Sequence, residues 1–129
     1  MTSLPITGIY IVIFSLLFMV FTIRVGLVRV RTGISFLDGG NETLLRRMRA
    51  QGNFIETVPL ALALIALTEI NGASATFVHS MAATLLIARI LHYVTLQVKP
   101  LALTRAVGML GTFAAYLGCC GWLLSKAFW

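Results

Sequence analysis

The sequence contains four long apolar segments, and each is long enough to cross a lipid bilayer as an α-helix. Charged residues make up only 11% of the 129 residues, while hydrophobic residues make up 59%. Soluble domains carry about 25% charged residues, so this chain has too little polar surface to fold in water. Because one crossing needs about 20 mostly apolar residues, four crossings use nearly the whole length. The sequence therefore predicts an all-α integral membrane protein, a four-helix bundle forming a single domain over residues 1–129.

Turn-forming and basic residues separate the four segments. We expect a loop over Thr32–Thr43, a tight turn at Asn71 and Gly72, and a loop over Gln97–Thr104. The first segment has no basic region before it and no small-residue cleavage site, so we expect it to be retained. The membrane-spanning segments are expected over about residues 5–27, 46–69, 74–96 and 105–125. In the fourth, small residues recur every three or four positions, which favours close helix packing: Gly111, Ala114, Ala115, Gly118 and Cys119.

Basic residues lie at the ends of the apolar segments rather than along one polar stripe, so nucleic-acid binding is not expected. Six arginines flank the first loop, and Lys99 and Arg105 flank the third, whereas Lys126 stands alone near the opposite end. Since Lys and Arg in short loops are retained on the cytoplasmic side, both termini should lie outside the cytoplasm.

The second segment carries polar residues that are costly to place in a membrane. Arg49, Asn53 and Glu56 recur at spacings of four and three, which puts them on one helix face. A charge near the bilayer centre costs at least about 2.5–3.5 kcal/mol, so this face should point toward the bundle interior, a partner subunit or a wet cavity.

A second polar set lies on the third segment, where Arg89, His92 and Tyr93 also recur at spacings of three and four. One interpretation is a structural network in which Glu56 neutralises Arg49 or Arg89. The other is a cationic pocket, left by an excess of arginine over carboxylate, that binds a small ligand with several carboxylates.

Other kinds of site have no support in the sequence. His79 and His92 have no metal-ligand spacing to another candidate ligand, and Cys119 and Cys120 are adjacent within an apolar segment. A metal site is therefore not expected. No serine or cysteine has a recognisable base beside it, so a hydrolase triad is not expected either.

Three motifs resemble those of the MAPEG family, the membrane-associated proteins of eicosanoid and glutathione metabolism. The run R-A-Q-G-N-F-I-E-T-V-P, Arg49–Pro59, resembles the second-helix signature of the family. A-R-I-L-H-Y at Ala88–Tyr93 is similar to its third-helix motif, and V-R-V-R at Val28–Arg31 is similar to the basic end of its first helix. The pattern is similar to that of short bacterial members, which implies an inner-membrane location.

The resemblance implies a homotrimer that binds glutathione, as a co-substrate, between neighbouring subunits near the cytoplasmic surface. Its other expected partners are membrane lipids and a lipophilic small molecule. Arg105 occupies the position of the arginine that stabilises the glutathione thiolate in the transferases. The implied glutathione ligands are Arg29, Arg49, Gln51, Asn53, Glu56, Arg89, His92 and Tyr93.

The implied activity is that of a microsomal-type glutathione transferase or peroxidase acting on lipophilic electrophiles. A free thiol with a pKa near 8.5 is mostly protonated at neutral pH, and a nearby fixed cation lowers that value. Two positions depart from the family pattern, since Leu96 and Thr57 stand where many members have tyrosine. These departures leave an alternative open, a non-catalytic protein of the same fold that binds an anionic lipid headgroup or serves assembly. A transporter is disfavoured because four spans without repeats lack the usual signature.

The first testable prediction concerns topology. An alkaline phosphatase fused after Trp129 should be active, because this enzyme works only outside the cytoplasm and the basic loops should hold the C-terminus there. A reporter that works only in the cytoplasm, fused at the same point, should be inactive. The reverse pattern would contradict the assigned orientation.

Overall fold

The computed structural model describes residues 4–98 and 102–128, and this part of the chain forms four α-helices. All four are long and apolar enough to cross a membrane, so the prediction of an all-α, four-helix membrane protein is confirmed. Lys99 and Pro100, expected in the third loop, lie outside the described residues. The helices are α1 (Pro5–Thr32), α2 (Glu42–Ile70), α3 (Ala75–Val98) and α4 (Ala102–Phe128).

The first loop is shorter than the predicted Thr32–Thr43, because residues 32, 42 and 43 are helical. Gly33 ends α1 in a left-handed conformation, with φ at 70°, and its N–H donates to the carbonyl of Arg29 at 2.9 Å. Asn41 starts α2, where its side-chain oxygen accepts from the Leu44 N–H at 3.0 Å. These two caps, rather than the end of apolar composition, set the helix boundaries.

The loop predicted over Gln97–Thr104 is also too long. Gln97 and Val98 belong to α3, and residues 102–104 belong to α4. Apolar composition marks only the part of a helix that lies in hydrocarbon. The backbone hydrogen bonds of α3 continue beyond that part, and the helix reaches Val98.

Helices α2 and α3 form the centre of the protomer. Helix α3 packs against α2 and α4, while α1 packs against α2 and α3 and makes no contact with α4 within the described residues. Phe54 of α2 meets Phe14 and Phe21 of α1, with ring centroids 5.9 and 5.1 Å apart. The core between these helices continues with Ile65 and Leu85, both buried.

The N-terminus of α1 is capped by a residue from the far end of α2. Leu4 precedes α1 and supplies no side-chain cap. Instead, the Glu69 carboxylate accepts hydrogen bonds from the backbone N–H groups of Ile6 and Thr7 at 2.9 and 2.8 Å, and from the Thr7 hydroxyl. A carboxylate at this position accepts from first-turn N–H groups that have no acceptor within the helix, and its negative charge interacts favourably with the helix dipole.

Small residues of α4 allow the close approach to α3 that the sequence predicted. A Cβ added at Gly111 would lie 2.9 Å from the Cβ of Ala88. The space beside Gly108, one helical turn earlier, is equally small. A Cβ there would lie 2.9 Å from the Cβ of His92 and 3.1 Å from the backbone carbonyl oxygen of Ala88. The Gly108 contact lies beside a cavity, because His92 and Met109 both line it.

We therefore predict that Gly108→Ala lowers thermal stability in detergent. Its methyl group would meet fixed atoms of α3, and overpacking of this kind costs about 1–3 kcal/mol. Gly121→Ala is the matched control, because a Cβ at Gly121 meets nothing within 4 Å and alanine favours helix by roughly 0.5–1 kcal/mol. Equal melting temperatures for the two variants would show that α3 and α4 are not in close contact at Gly108.

Candidate functional site

A cavity of about 730 Å³ lies at the end of the bundle that carries the first loop. It is bounded by the start of α2, the end of α3, the start of α4 and the loop itself. Its lining combines charged groups with apolar side chains. The lining residues are Leu37, Asp38, Leu45, Met48, Arg49, Gly52, Asn53, Glu56, His92, Leu96, Arg105 and Met109.

Arg89 lies behind the cavity wall and joins three helices. The side chain is only 2% exposed. Its Nη1 donates to Asn53 Oδ1 at 2.7 Å and to the hydroxyl of Thr57 at 3.1 Å, both on α2. Its Nη2 donates to the carbonyl oxygen of Gly108 on α4 at 2.9 Å. Its Nη2 also lies 3.6 Å from the sulfur of Met109. All of these acceptors are neutral, and the Nε of Arg89 is buried with no hydrogen-bond partner among the described residues.

The Arg89 contact fixes the orientation of the Asn53 side chain. A guanidinium donates but never accepts, so the Asn53 atom that faces Arg89 must be the amide oxygen. The Asn53 NH₂ group is then available to the cavity that this side chain lines. Thr57 supports the arrangement, because its hydroxyl donates to the backbone carbonyl oxygen of Asn53 at 2.7 Å. The backbone carbonyl oxygen of Thr57 in turn accepts from Tyr116 Oη at 2.7 Å.

The interpretation in which Glu56 neutralises an arginine is wrong for the described residues of this protomer. The ion pair found there joins Arg46 to Glu42 on the surface of α2. Glu56 and Arg49 are both exposed and both line the cavity, but they form no ion pair with each other or with Arg89. The polar network assigned to α2 and α3 forms instead through neutral side chains and one backbone carbonyl.

The expected excess of arginine is also absent from the described lining. Arg49 and Arg105 contribute two guanidinium groups, while Glu56 and Asp38 contribute two carboxylates. Asp38 belongs to the first loop, and no sequence pattern indicates that this loop shares a cavity with the start of α4. The lining is therefore charge-balanced and suits a ligand that carries both ammonium and carboxylate groups.

Five of the residues expected at the site line the cavity together: Arg49, Asn53, Glu56, His92 and Arg105. They come from three helices. Arg29, Gln51, Arg89 and Tyr93 do not line it in the protomer. Arg89 supports the wall from behind, as described above.

Three of the expected site residues that do not line the cavity have partners elsewhere: Arg29, Gln51 and Tyr93. Arg29 Nη1 donates to the carbonyl oxygens of Ile34, Ser35 and Leu37 at 3.0–3.2 Å. Gln51 donates to the Thr22 hydroxyl at 2.8 Å. Tyr93 turns toward α1, where its ring stacks on Phe21 with centroids 3.6 Å apart, and the Arg24 guanidinium lies 5.7 Å from the same ring.

Several residues that contribute to the site were not assigned from the sequence. Asp38 and Leu37 lie in a loop whose path the sequence does not specify, and Met109 resembles any other apolar residue of α4. Gly108 carried a usable signal, since it lies three residues before Gly111 in the same small-residue pattern. Thr57 was treated only as a departure from the family, yet its hydroxyl binds Arg89.

The fold and this cavity define a small multi-pass membrane protein with a cavity lined by charged and apolar side chains at one end of a four-helix bundle. The sequence matches the model of the MAPEG family over residues 7–125, and the chain belongs to this family.

Named relatives support the assignment. The inner membrane protein YecN of Escherichia coli strain K12 is 33% identical over 112 residues, which cover 87% of this chain and 85% of the relative. YecN of Escherichia coli O6:H1 matches with the same identity and coverage. The comparison with solved structures found no match.

The Arg89 geometry generates a stability prediction. Asn53→Asp keeps the shape of the side chain and gives the buried guanidinium an anionic partner, so the melting temperature in detergent should be unchanged or higher. Asn53→Leu removes the acceptor and should destabilise by about 1–3 kcal/mol. A lower melting temperature for Asn53→Asp than for Asn53→Leu would mean that Arg89 does not donate to residue 53.

Proposed function

We propose that the cavity binds glutathione and that the protein is a glutathione transferase or peroxidase acting on lipophilic electrophiles. Glutathione carries one ammonium group, two carboxylates and a thiol. The observation that carries the proposal is the joint presence of Arg49, Arg105, Glu56 and Asp38 around one cavity, beside an apolar wall. Membership of the MAPEG family supports the same ligand.

The charged groups divide naturally between the parts of the tripeptide. Arg49 holds a carboxylate, since a guanidinium can donate two parallel hydrogen bonds to it. Glu56 accepts from the ammonium group. Asn53 presents its NH₂ group to a carboxylate or carbonyl oxygen, because Arg89 occupies its own oxygen.

Arg105 is the catalytic residue of the proposal. It lies at the start of α4 on the cavity wall, and a guanidinium beside the sulfur favours the thiolate over the thiol. Each unit by which the thiol pKa falls requires about 1.4 kcal/mol of preferential stabilisation. The thiolate then forms a C–S bond with the β-carbon of an unsaturated carbonyl compound, and a proton is taken up at the α-carbon.

The same thiolate serves peroxide reduction. A lipid hydroperoxide becomes an alcohol and water, and two glutathione molecules are oxidised to the disulfide. The apolar side chains of Leu45, Met48, Leu96 and Met109 provide a surface for the lipophilic substrate.

The proposal includes a homotrimer in a bacterial inner membrane, in contact with membrane lipids, with both termini outside the cytoplasm. Glu56 and Arg49 are exposed in the protomer, and a neighbouring subunit would shield these charges from lipid. The printed name of YecN, an inner membrane protein, supports the location.

A second candidate is a non-catalytic protein that binds an anionic lipid headgroup in the same cavity. Leu96 favours it, because this residue lines the cavity and offers no hydroxyl where many family members have tyrosine. Calorimetric titration of the protein in detergent separates the two. Binding of glutathione supports the first, whereas no binding at millimolar glutathione, together with binding of phosphatidylglycerol micelles, supports the second.

We predict different defects for the two cavity arginines. Arg49→Ala should weaken glutathione binding by about 2–5 kcal/mol, because it removes a charge-assisted pair and leaves a carboxylate without a partner. Arg105→Ala should change affinity only a few-fold but abolish the near-ultraviolet absorbance of the bound thiolate, since its role is selective for ionised sulfur.

Arg31→Ala is the matched control, because Arg31 is exposed at the end of α1 and does not line the cavity. It should leave both affinity and absorbance unchanged. If the wild-type protein binds glutathione without a thiolate signal at neutral pH, or if Arg105→Ala retains that signal, the catalytic role of Arg105 is wrong.

A further inference from the structure

The first loop has an unusual backbone at the point where it meets the cavity. Its positive-φ residues include Gly33, Gly39 and Gly40, for which this conformation is easy. Leu37, with φ at 51°, is the one described residue other than glycine that adopts it. A leucine in the left-handed region is disfavoured by contact between its Cβ and the following carbonyl, so the surrounding structure must hold it there.

Arg29 supplies that restraint. Its Nη1 donates to the carbonyl of Leu37 at 3.0 Å and to those of Ile34 and Ser35 at 3.2 and 3.1 Å. Its Nη2 lies 3.4 Å from the sulfur of Met48, a residue of the cavity lining. One guanidinium therefore ties the end of α1, the loop and the start of α2 together.

The restrained loop contributes two different groups to the cavity. Leu37 and Asp38 both line it, although Leu37 remains 77% exposed. Leu37 belongs to the apolar part of the lining, together with Leu45, Met48, Leu96 and Met109. Phe36, the residue before Leu37, is 87% exposed and does not line the cavity.

We infer that Arg29 is a positioning residue that holds the first loop over the cavity, and that Leu37 determines specificity by contacting the apolar group joined to the glutathione sulfur. Within the protomer Arg29 acts through the loop, because its side chain does not line the cavity. The identity of the ligand rests on the proposed function, but the restraint of the loop does not.

The restraint is tested first, by hydrogen exchange on the protein in detergent without any ligand. The Asn41 N–H, which donates to the Asp38 carbonyl at 2.8 Å, reports on the loop. Arg29→Ala should raise its exchange rate by about tenfold or more, because loss of the restraint makes local opening easier. Arg31→Ala, two residues further along α1 than Arg29, should leave it unchanged. Equal exchange in Arg29→Ala and the wild type would overturn the positioning role.

The specificity is tested by calorimetry with S-hexylglutathione and S-methylglutathione, which differ only in the apolar group on sulfur. Leu37→Asn keeps a residue that tolerates the left-handed conformation and removes the apolar surface. The wild type should prefer the hexyl compound, and Leu37→Asn should reduce that preference by about fivefold or more. Phe36→Asn is the matched control and should retain the preference.

The outcomes separate the inference from the proposed function. An unchanged preference in Leu37→Asn, or an equal loss in Phe36→Asn, would overturn the specificity role while leaving glutathione binding intact. Failure of the wild type to bind either compound would overturn both the proposed function and the role of Leu37. The exchange experiment would still decide the role of Arg29.

Discussion

The buried guanidinium of Arg89 is the interaction on which the site depends. Removing such a charge from water costs several kcal/mol, so the side chain must find acceptors wherever the fold can supply them. It finds them on Asn53 and Thr57 of α2 and on the backbone of Gly108 in α4. These bonds hold three helices at the end of the bundle where the cavity lies. They also require that Gly108 lack a side chain, since a Cβ there would meet α3.

The same interaction links packing to binding. Because Arg89 is satisfied by neutral groups, it leaves the carboxylate of Glu56 free for the cavity. By taking the oxygen of Asn53, it presents the amide NH₂ to any ligand. The first loop completes the site with a carboxylate from Asp38 and an apolar side chain from Leu37. The network around Arg89 and the charged cavity therefore share Asn53 and lie at the same end of the bundle.

Much of the site could be predicted because helical periodicity relates sequence to space directly. Arg49, Asn53 and Glu56 share a face at spacings of three and four, and all three line the cavity. Tyr93 follows His92 directly, so its side chain turns toward α1 while His92 faces the cavity. The family resemblance implies that Arg29 is a ligand residue, and within the protomer its Nη1 donates to loop carbonyls. Its partners have no periodic relation to it, so the sequence could not indicate them.

The sequence by itself determined the membrane environment, the four helices, the MAPEG family and the polar faces of α2 and α3. These follow from composition and from local spacing, which act over a few residues. Only the tertiary structure decided that Glu69 caps α1, that Asp38 balances the arginines of the cavity, and that Arg89 has neutral partners. Each of these contacts joins residues far apart in the chain. Such pairings are selected by how whole helices pack, and no local pattern encodes them.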